Sequence, residues 1–300
     1  MTQQLTFKKL TGHIGAEVLG ADLTKRLEDE QIEQIKQAMD RHYVLFFRDQ
    51  DIDESQHRDF ALRFGELQVK TPHETIPDFL HLEDTAIKLP TADRWHSDHT
   101  NLKTPPGYAF LWSKTIPEYG GDTLWVSLPA IYQSLSPKLR ELAGQLYVRH
   151  GVRNGYGASV RRRMNELGLP KEQIEARMAK LETEAFAIHP LVRTNPATGE
   201  HSLYLSPNYV ECIEGLHPEE SRLLLDFFER KLDEAQFQIR WHWREKDLVI
   251  WDNATTNHRA LTDHFLIAPQ YRAMRRCMVQ GSVPVYQPSA AQLAAKAIAA

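Results

Sequence analysis

The sequence has little cysteine, no long apolar run and no excess of positive charge. Its two cysteines, Cys212 and Cys277, are too few for a disulfide framework, and neither belongs to a C-x-x-C pair that could bind zinc or do redox chemistry. The N-terminus lacks a charged-then-apolar signal sequence, and no apolar segment is long enough to span a bilayer. We therefore expect a cytoplasmic protein that does not associate with membranes.

The charge balance argues against nucleic acid as a partner. The 36 basic and 40 acidic residues give a net charge of −4, which provides no general attraction to nucleic acid. An anionic ligand would need local basic groups, so we expect the partner to be a small molecule in a pocket. A hydrophobic fraction of 42% and a charged fraction of 25% are typical of a globular protein. We predict one domain over residues 1–300, with a flexible Ala-rich tail at 289–300.

Hydrophobic periodicity predicts helices early and in the middle of the chain, with strands between and after them. The predicted helices are 27–42, 54–64, 128–146, 160–183 and 218–232. The predicted strands are 43–47, 107–115, 123–126, 187–193, 202–205, 237–243, 248–251 and 271–279. Residues 195–199 read as a hairpin turn. This order favours an α+β protein built on an antiparallel β-sandwich or barrel.

Three residues form a candidate metal site. His96 and Asp98 are two positions apart, so on an extended strand their side chains point the same way and can reach one metal ion. His258, far along the chain, supplies a third ligand if folding brings its strand alongside. Two histidines and a carboxylate hold non-haem Fe(II) on one face and leave the opposite positions open.

A second pattern indicates an anionic cosubstrate. An oxygenase without haem or flavin needs electrons for dioxygen, and 2-oxoglutarate can supply them if a cation binds its distal carboxylate. Arginine suits this role because its planar fork matches a carboxylate and stays charged. Arg272 and Arg276 are four apart on a predicted strand and share a face, whereas Arg275 points the other way. Inward-facing arginines need anionic partners.

The order of sequence landmarks resembles the taurine dioxygenase and 2,4-dichlorophenoxyacetate dioxygenase family over most of the chain, from Gly15 to about Pro284. The landmarks are Phe64-Gly65-Glu66-Leu67, Trp95-His96-Ser97-Asp98, Gly120-Gly121-Asp122-Thr123-Leu124-Trp125, His189-Pro190-Leu191-Val192-Arg193, Trp251-Asp252-Asn253 with His258, and Arg272 with Arg276. Each motif alone is unspecific, but the combination is highly specific.

The resemblance implies a double-stranded β-helix, or jelly roll, with flanking helices. It implies Fe(II) bound by His96, Asp98 and His258 and 2-oxoglutarate held through its distal carboxylate by Thr123 and Arg272. The implied reaction uses O2, hydroxylates a C–H bond of the primary substrate, and releases succinate and CO2. Arg276 would lie near that substrate. A homodimer or homotetramer also fits the resemblance.

The substrate segments depart from the taurine pattern. Taurine-specific members carry a histidine and a tyrosine after the Phe-Gly-Glu-Leu landmark, whereas residues 68–73 here read Gln-Val-Lys-Thr-Pro-His. We expect an anionic substrate other than taurine: an alkyl sulfate, a sulfonate, or an aryloxy or carboxylic acid. Lys70 and Arg276 are the candidate anion partners, and Tyr209 is a further candidate substrate contact.

Three alternatives remain open at this level. The substrate could be an amino-acid-like or natural-product biosynthetic intermediate. The same ligand set also fits a zinc hydrolase, because two histidines and an aspartate bind zinc with an open position. That function leaves Arg272 without a role. A non-catalytic binding protein on the same scaffold is the third alternative, and the intact ligand set argues against it.

Overall fold

The computed structural model describes residues 4–68, 80–84, 92–265 and 271–288. Within these ranges the helices are α1 Asp29–His42, α2 Glu54–Leu62, α3 Leu128–Ser134, α4 Pro137–Ala143, α5 Gly155–Glu166, α6 Lys171–Glu182 and α7 Pro218–Lys231. Two single 3-10 turns lie at Ala235–Phe237 and Asp263–Phe265. In the part of the chain so described, no helix has the length and apolar character needed to cross a membrane.

The strands form one large sheet and three small ones. They are β1 Thr6–Lys9, β2 Ala16–Leu19, β3 Val44–Phe47, β4 Leu80–Asp84, β5 Pro106–Thr115, β6 Thr123–Ser127, β7 Tyr147–His150, β8 Ala187–Pro190, β9 Val192–Thr194, β10 His201–Leu203, β11 Val210–Ile213, β12 Gln238–Trp241, β13 Leu248–Asp252, β14 Thr256–Ala260 and β15 Arg272–Gln280. The major sheet has the order β1-β2-β3-β13-β5-β15-β4, and the minor sheet has the order β12-β6-β14. The other two are β11-β7-β8 and β10-β9. The mixed helix and sheet content agrees with the prediction.

Alternating side chains give the major sheet two apolar faces. On β3, Leu45 and Phe47 pack into the core shared with helices α1 and α2, whereas Phe46 points into a core shared with the minor sheet. Phe46 stacks on Trp241 of β12 with ring centroids 4.1 Å apart and meets Trp125 of β6 edge to face. Because these aromatic side chains lie between the two sheets, the sheets face each other across a shared core.

The prediction of one continuous helix over 128–146 was wrong, because α3 and α4 are separate helices. Pro137 has no backbone N–H and disfavours helical geometry at the residue before it, so the chain restarts at this point. Ser136 caps the new helix by accepting a hydrogen bond from the N–H of Leu139 through its hydroxyl.

The helix predicted over 160–183 is likewise divided, into α5 and α6. Gly168 lies between them with φ of +66°, a left-handed conformation that glycine adopts without strain, and Pro170 is the N-cap of α6. The strand predicted over 187–193 is also two strands, β8 and β9. The predicted turn at 195–199 is confirmed, since it joins β9 to β10 in an antiparallel pair.

Candidate metal centre

The two candidate histidines are cross-strand neighbours. His258 lies on β14, which pairs with β6 in the minor sheet, and His96 extends that sheet through an isolated bridge. The His96 N–H donates to the His258 carbonyl over 3.0 Å, and the His258 N–H donates back over 2.8 Å. The imidazole centroids are consequently only 4.1 Å apart.

Asp98 completes a buried cluster with these histidines. One potential ligand atom from each residue lies within 4.8 Å of the others. Nε2 of His96 is 4.0 Å from Oδ1 of Asp98, and Nε2 of His258 is 3.8 Å from Oδ2. Nδ1 of His96 lies 2.8 Å from the Arg94 carbonyl, which can only accept, so Nδ1 carries the hydrogen and Nε2 keeps its lone pair. The cluster can therefore offer three ligand atoms to one cation.

The charge states match those that a metal ligand set requires. Burial opposes ionisation of Asp98, but the positive charge of Arg276 outweighs it and holds the pKa of Asp98 well below its usual range. Arg276 Nη1 donates to Oδ1 of Asp98 over 2.7 Å. Burial lowers the pKa of His96 and that of His258, so both imidazoles are neutral near pH 7. A carboxylate and two neutral imidazoles bind a metal without first losing protons.

A buried carboxylate oxygen without a hydrogen-bond partner indicates that a cation would fit this cluster. Oδ2 of Asp98 is buried and has no hydrogen-bond partner among the described residues. Such an acceptor normally costs stability, because it has lost water without gaining a donor. Arg276 occupies Oδ1 and leaves Oδ2 facing the His258 imidazole, the side on which a shared cation would lie. The residues present therefore fit a metal held by a single carboxylate oxygen and two imidazoles.

Asn253 fixes the backbone of Asp98. The Asp98 N–H donates to Oδ1 of Asn253 over 2.7 Å, and Nδ2 of Asn253 donates to the carbonyls of Asp98 at 3.0 Å and Pro106 at 3.3 Å. The sequence had presented Asn253 only as part of a landmark, without a role. Its role depends on backbone groups that only folding brings close, and because Asn253 is fully buried its amide must find such partners.

Thr123 and Arg272 are both buried close to the Gly120-Gly121 turn. Thr123 begins β6, and its hydroxyl accepts a hydrogen bond from Trp243 Nε1 over 3.0 Å. Gly121 has φ of +69°, and a Cβ atom there would lie 3.5 Å from Cδ of Arg272. The side chain of Arg272 thus packs against the turn that leads into Thr123, and the positive φ of Gly121 is a conformation that glycine adopts without strain.

The other candidate substrate residues differ in position. Arg276 faces the metal centre, whereas Arg275 faces α2 and donates to Oε1 of Glu54 over 3.0 Å. Tyr209 is buried and stacks on Tyr156 with ring centroids 6.0 Å apart. Burial raises the pKa of the Tyr209 hydroxyl, and the negative charge of Asp98 raises it further. The ring of Tyr209 thus lies within electrostatic reach of the centre. Lys70 lies outside the described residues.

Comparison with known proteins gives consistent results. The family model for "Taurine catabolism dioxygenase TauD, TfdA family" matches residues 6–278. The chain is 34% identical to an alkylsulfatase of Acinetobacter baylyi over 94% of this chain and 87% of that protein. It is 33% identical to an alpha-ketoglutarate-dependent sulfate ester dioxygenase of Pseudomonas putida over 94% of this chain and 91% of that protein.

A solved structure is also similar to this chain over nearly its whole length. The crystal structure of a taurine dioxygenase from Burkholderia xenovorans superposes with a TM-score of 0.77 at 32% identity, and the match covers 94% of this chain and 92% of that one. The family model spans most of the chain, and the sequence and structural similarities extend over nearly all of it. The chain therefore belongs to the TauD/TfdA family of 2-oxoglutarate-dependent dioxygenases.

Proposed function

We propose that this enzyme hydroxylates the carbon that bears the ester oxygen of an alkyl sulfate. The overall reaction joins one oxygen atom of O2 to that carbon and the other to 2-oxoglutarate, which leaves as succinate and CO2. A carbon carrying both a hydroxyl group and a sulfate ester is unstable: the C–O bond to sulfate breaks, the hydroxyl proton is lost, and an aldehyde and sulfate are released. The two relatives that act on sulfate esters by name support this substrate class.

In this proposal His96, Asp98 and His258 hold Fe(II). The observation that carries the assignment is the partnerless Oδ2 of Asp98 beside the His258 imidazole. Two neutral imidazoles and one carboxylate on a single side match the arrangement known for non-haem Fe(II). Fe(II) and 2-oxoglutarate, when bound, supply the activation of dioxygen and the oxidising power. The protein supplies placement, a charged carboxylate and a buried site.

Arg272 and Thr123 are proposed to hold the distal carboxylate of 2-oxoglutarate. Arg272 is buried, and its planar guanidinium can bind a carboxylate through two parallel N–H donors. The hydroxyl of Thr123 can donate to a carboxylate because its hydrogen is not needed for the bond it accepts from Trp243. The fixed fork of Arg272 would set the direction from which the cosubstrate enters the centre.

Arg276 is proposed to bind the sulfate group. Its Nη1 already contacts Asp98, and its Nε is buried without a hydrogen-bond partner among the described residues. An anion at this guanidinium would therefore lie next to the metal ligand, with the adjoining carbon near the reacting position. Tyr209 is proposed as an apolar wall for the alkyl chain. Lys70 stays a candidate second cation for the anion.

The opposed major and minor sheets are proposed to form a double-stranded β-helix, the jelly roll. Antiparallel pairing throughout the minor sheet and at every pair of the major sheet except β2–β3, together with the aromatic core between the sheets, supports this assignment. We further propose one domain over residues 1–300, a cytoplasmic location, and a homodimer or homotetramer, with no nucleic-acid partner. The two free cysteines suit a reducing compartment. Light scattering of the purified protein would establish the assembly.

The test is a substrate panel with purified enzyme, Fe(II), ascorbate and 2-oxoglutarate. We expect a linear alkyl sulfate to increase succinate release and to yield stoichiometric aldehyde and sulfate, and taurine to have little effect. Alkylsulfonates, aryloxyacetates and amino acids complete the panel. His96→Ala should abolish turnover while its circular dichroism spectrum remains that of the wild type. Stimulation by taurine or an amino acid, with none by any alkyl sulfate, would refute the proposed substrate class.

A further inference from the structure

The segment that follows Asp98 turns back sharply. His99 has φ of +48°, a left-handed conformation that is strained for a residue with a side chain, and the N–H of Leu102 donates to the His99 carbonyl over 3.0 Å. Thr100, at the centre of this turn, is fully buried. A strained turn that begins at the residue after Asp98 persists only if its surroundings hold it in place.

Two buried histidines contact Thr100, one at its side-chain hydroxyl and the other at its backbone carbonyl. Nδ1 of His150 lies 2.9 Å from the Thr100 hydroxyl. Nε2 of His189 lies 2.9 Å from the Thr100 carbonyl and 3.1 Å from the Leu102 carbonyl. Both of those groups are acceptors, so Nε2 of His189 carries the hydrogen and donates to each. We call His150, His189 and Thr100 the Thr100 anchor.

The two histidines of the Thr100 anchor lie on paired strands and pack against a buried tyrosine. His150 is on β7 and His189 on the paired strand β8, with ring centroids 5.2 Å apart. Tyr204 packs on both imidazoles, nearly parallel to that of His150. Burial lowers the pKa of each histidine, so both stay neutral and keep these hydrogen bonds over the neutral pH range.

The anchor also carries a stability cost. Nε2 of His150 is buried without a hydrogen-bond partner in the described parts of the chain. An apolar side chain of similar size would avoid that loss. A pair of imidazoles aimed at one turn beside a metal ligand is therefore better explained by what it positions than by what it adds to stability.

We infer that His150 and His189 are positioning residues for Asp98, acting through Thr100. This inference rests on the proposed role of Asp98 as a metal ligand. Asn253 fixes the backbone of Asp98 itself, and the Thr100 anchor fixes the chain that leaves it. Because the backbone is held both at Asp98 and at Thr100, the Asp98 carboxylate keeps Oδ2 directed at the shared metal position. Groups that orient a ligand in this way typically change metal affinity about 10- to 100-fold when removed.

The inference can be tested by metal affinity. The apoprotein is titrated anaerobically with Mn²⁺ alone, and the dissociation constant is measured for the wild type, His150→Leu, His189→Leu and the milder Thr100→Val. We expect binding to weaken about 10- to 100-fold in the two leucine variants and less in Thr100→Val, which keeps the backbone contact. His150→Asn and His189→Gln place an amide where Nδ1 and Nε2 lie, and should restore much of the affinity.

Two controls separate the possible failures. His57→Leu removes a buried imidazole from α2, on the other face of the major sheet, and should lower stability in urea without changing the Mn²⁺ dissociation constant. If the anchor variants behave like His57→Leu, the anchor is merely structural and the inference is overturned. His96→Ala tests the site itself: if Mn²⁺ binding survives that change, the proposed ligand set fails, and the inference fails with it.

Discussion

Arg276 donates a hydrogen bond from Nη1 to Oδ1 of Asp98 over 2.7 Å, and both side chains are almost fully buried. The next residue back, Arg275, is paired instead with Glu54, whose side chain is 42% exposed. Adjacent arginines on one strand therefore serve opposite faces of the major sheet. Arg276 balances the charge of Asp98, the proposed metal ligand, and Arg275 pairs with a partly exposed carboxylate.

Arg276→Met should destabilise the metal-free protein more than the metal-loaded protein. Removing one partner of a buried ion pair leaves an uncompensated charge, which typically costs about 3–5 kcal/mol. A bound divalent cation would compensate Asp98 in place of the guanidinium. Urea unfolding with and without Mn²⁺ measures the difference. Arg275→Met is the matched control, and because Arg275 faces α2 rather than the metal position its loss of stability should be the same in both states. Equal losses for Arg276→Met with and without metal would contradict the prediction.

Thr123→Val should raise the KM for 2-oxoglutarate about 10- to 150-fold, because the proposed hydrogen bond to a charged carboxylate contributes about 1.5–3 kcal/mol. It should also lower stability by about 1–3 kcal/mol, since Trp243 Nε1 would be left as a buried donor without an acceptor. Initial-rate kinetics and urea unfolding measure the two effects. Thr123→Ser keeps the hydroxyl and should preserve both. Lost stability with an unchanged KM would leave Thr123 a structural role only.

Much of the architecture was predictable because it depends on local patterns. The uninterrupted apolar run of β3 is typical of a strand buried on both faces, and the spacing of His96 and Asp98 allows them to share a metal site. The breaks at Pro137 and Gly168 each depend on single helix-breaking residues inside long stretches that were predicted as continuous helices. The roles of Asn253 and Thr100 could not be read from the sequence, since each depends on a partner brought close only by folding.

Acid should weaken the protein partly through His57. Burial lowers the pKa of His57 to about 3, whereas the unfolded chain titrates near an ordinary pKa of about 6.5. Between these values the unfolded state binds more protons, so stability falls as the pH falls, by about 2 kcal/mol at pH 5 from this residue. His57→Leu should therefore lose less stability than the wild type between about pH 7 and pH 5 in urea unfolding. An unchanged pH dependence would show that His57 takes up its proton to the same extent in the folded and unfolded states.

Asn253→Asp should lower both stability and Mn²⁺ affinity, although the two side chains have nearly the same shape. The new side chain keeps an oxygen to accept from the Asp98 N–H, but it replaces the Nδ2 donor with an oxygen facing the carbonyls of Asp98 and Pro106. Two buried carbonyls would lose their donor and meet a like partial charge, so we expect a loss of about 3 kcal/mol or more in unfolding free energy. Mn²⁺ binding should weaken as well, because the backbone of Asp98 would be displaced from its present position. Asn253→Ala lacks the added repulsion and should lose less stability. If Asn253→Asp instead binds Mn²⁺ as tightly as the wild type, the Asp98 backbone is held without the Asn253 amide.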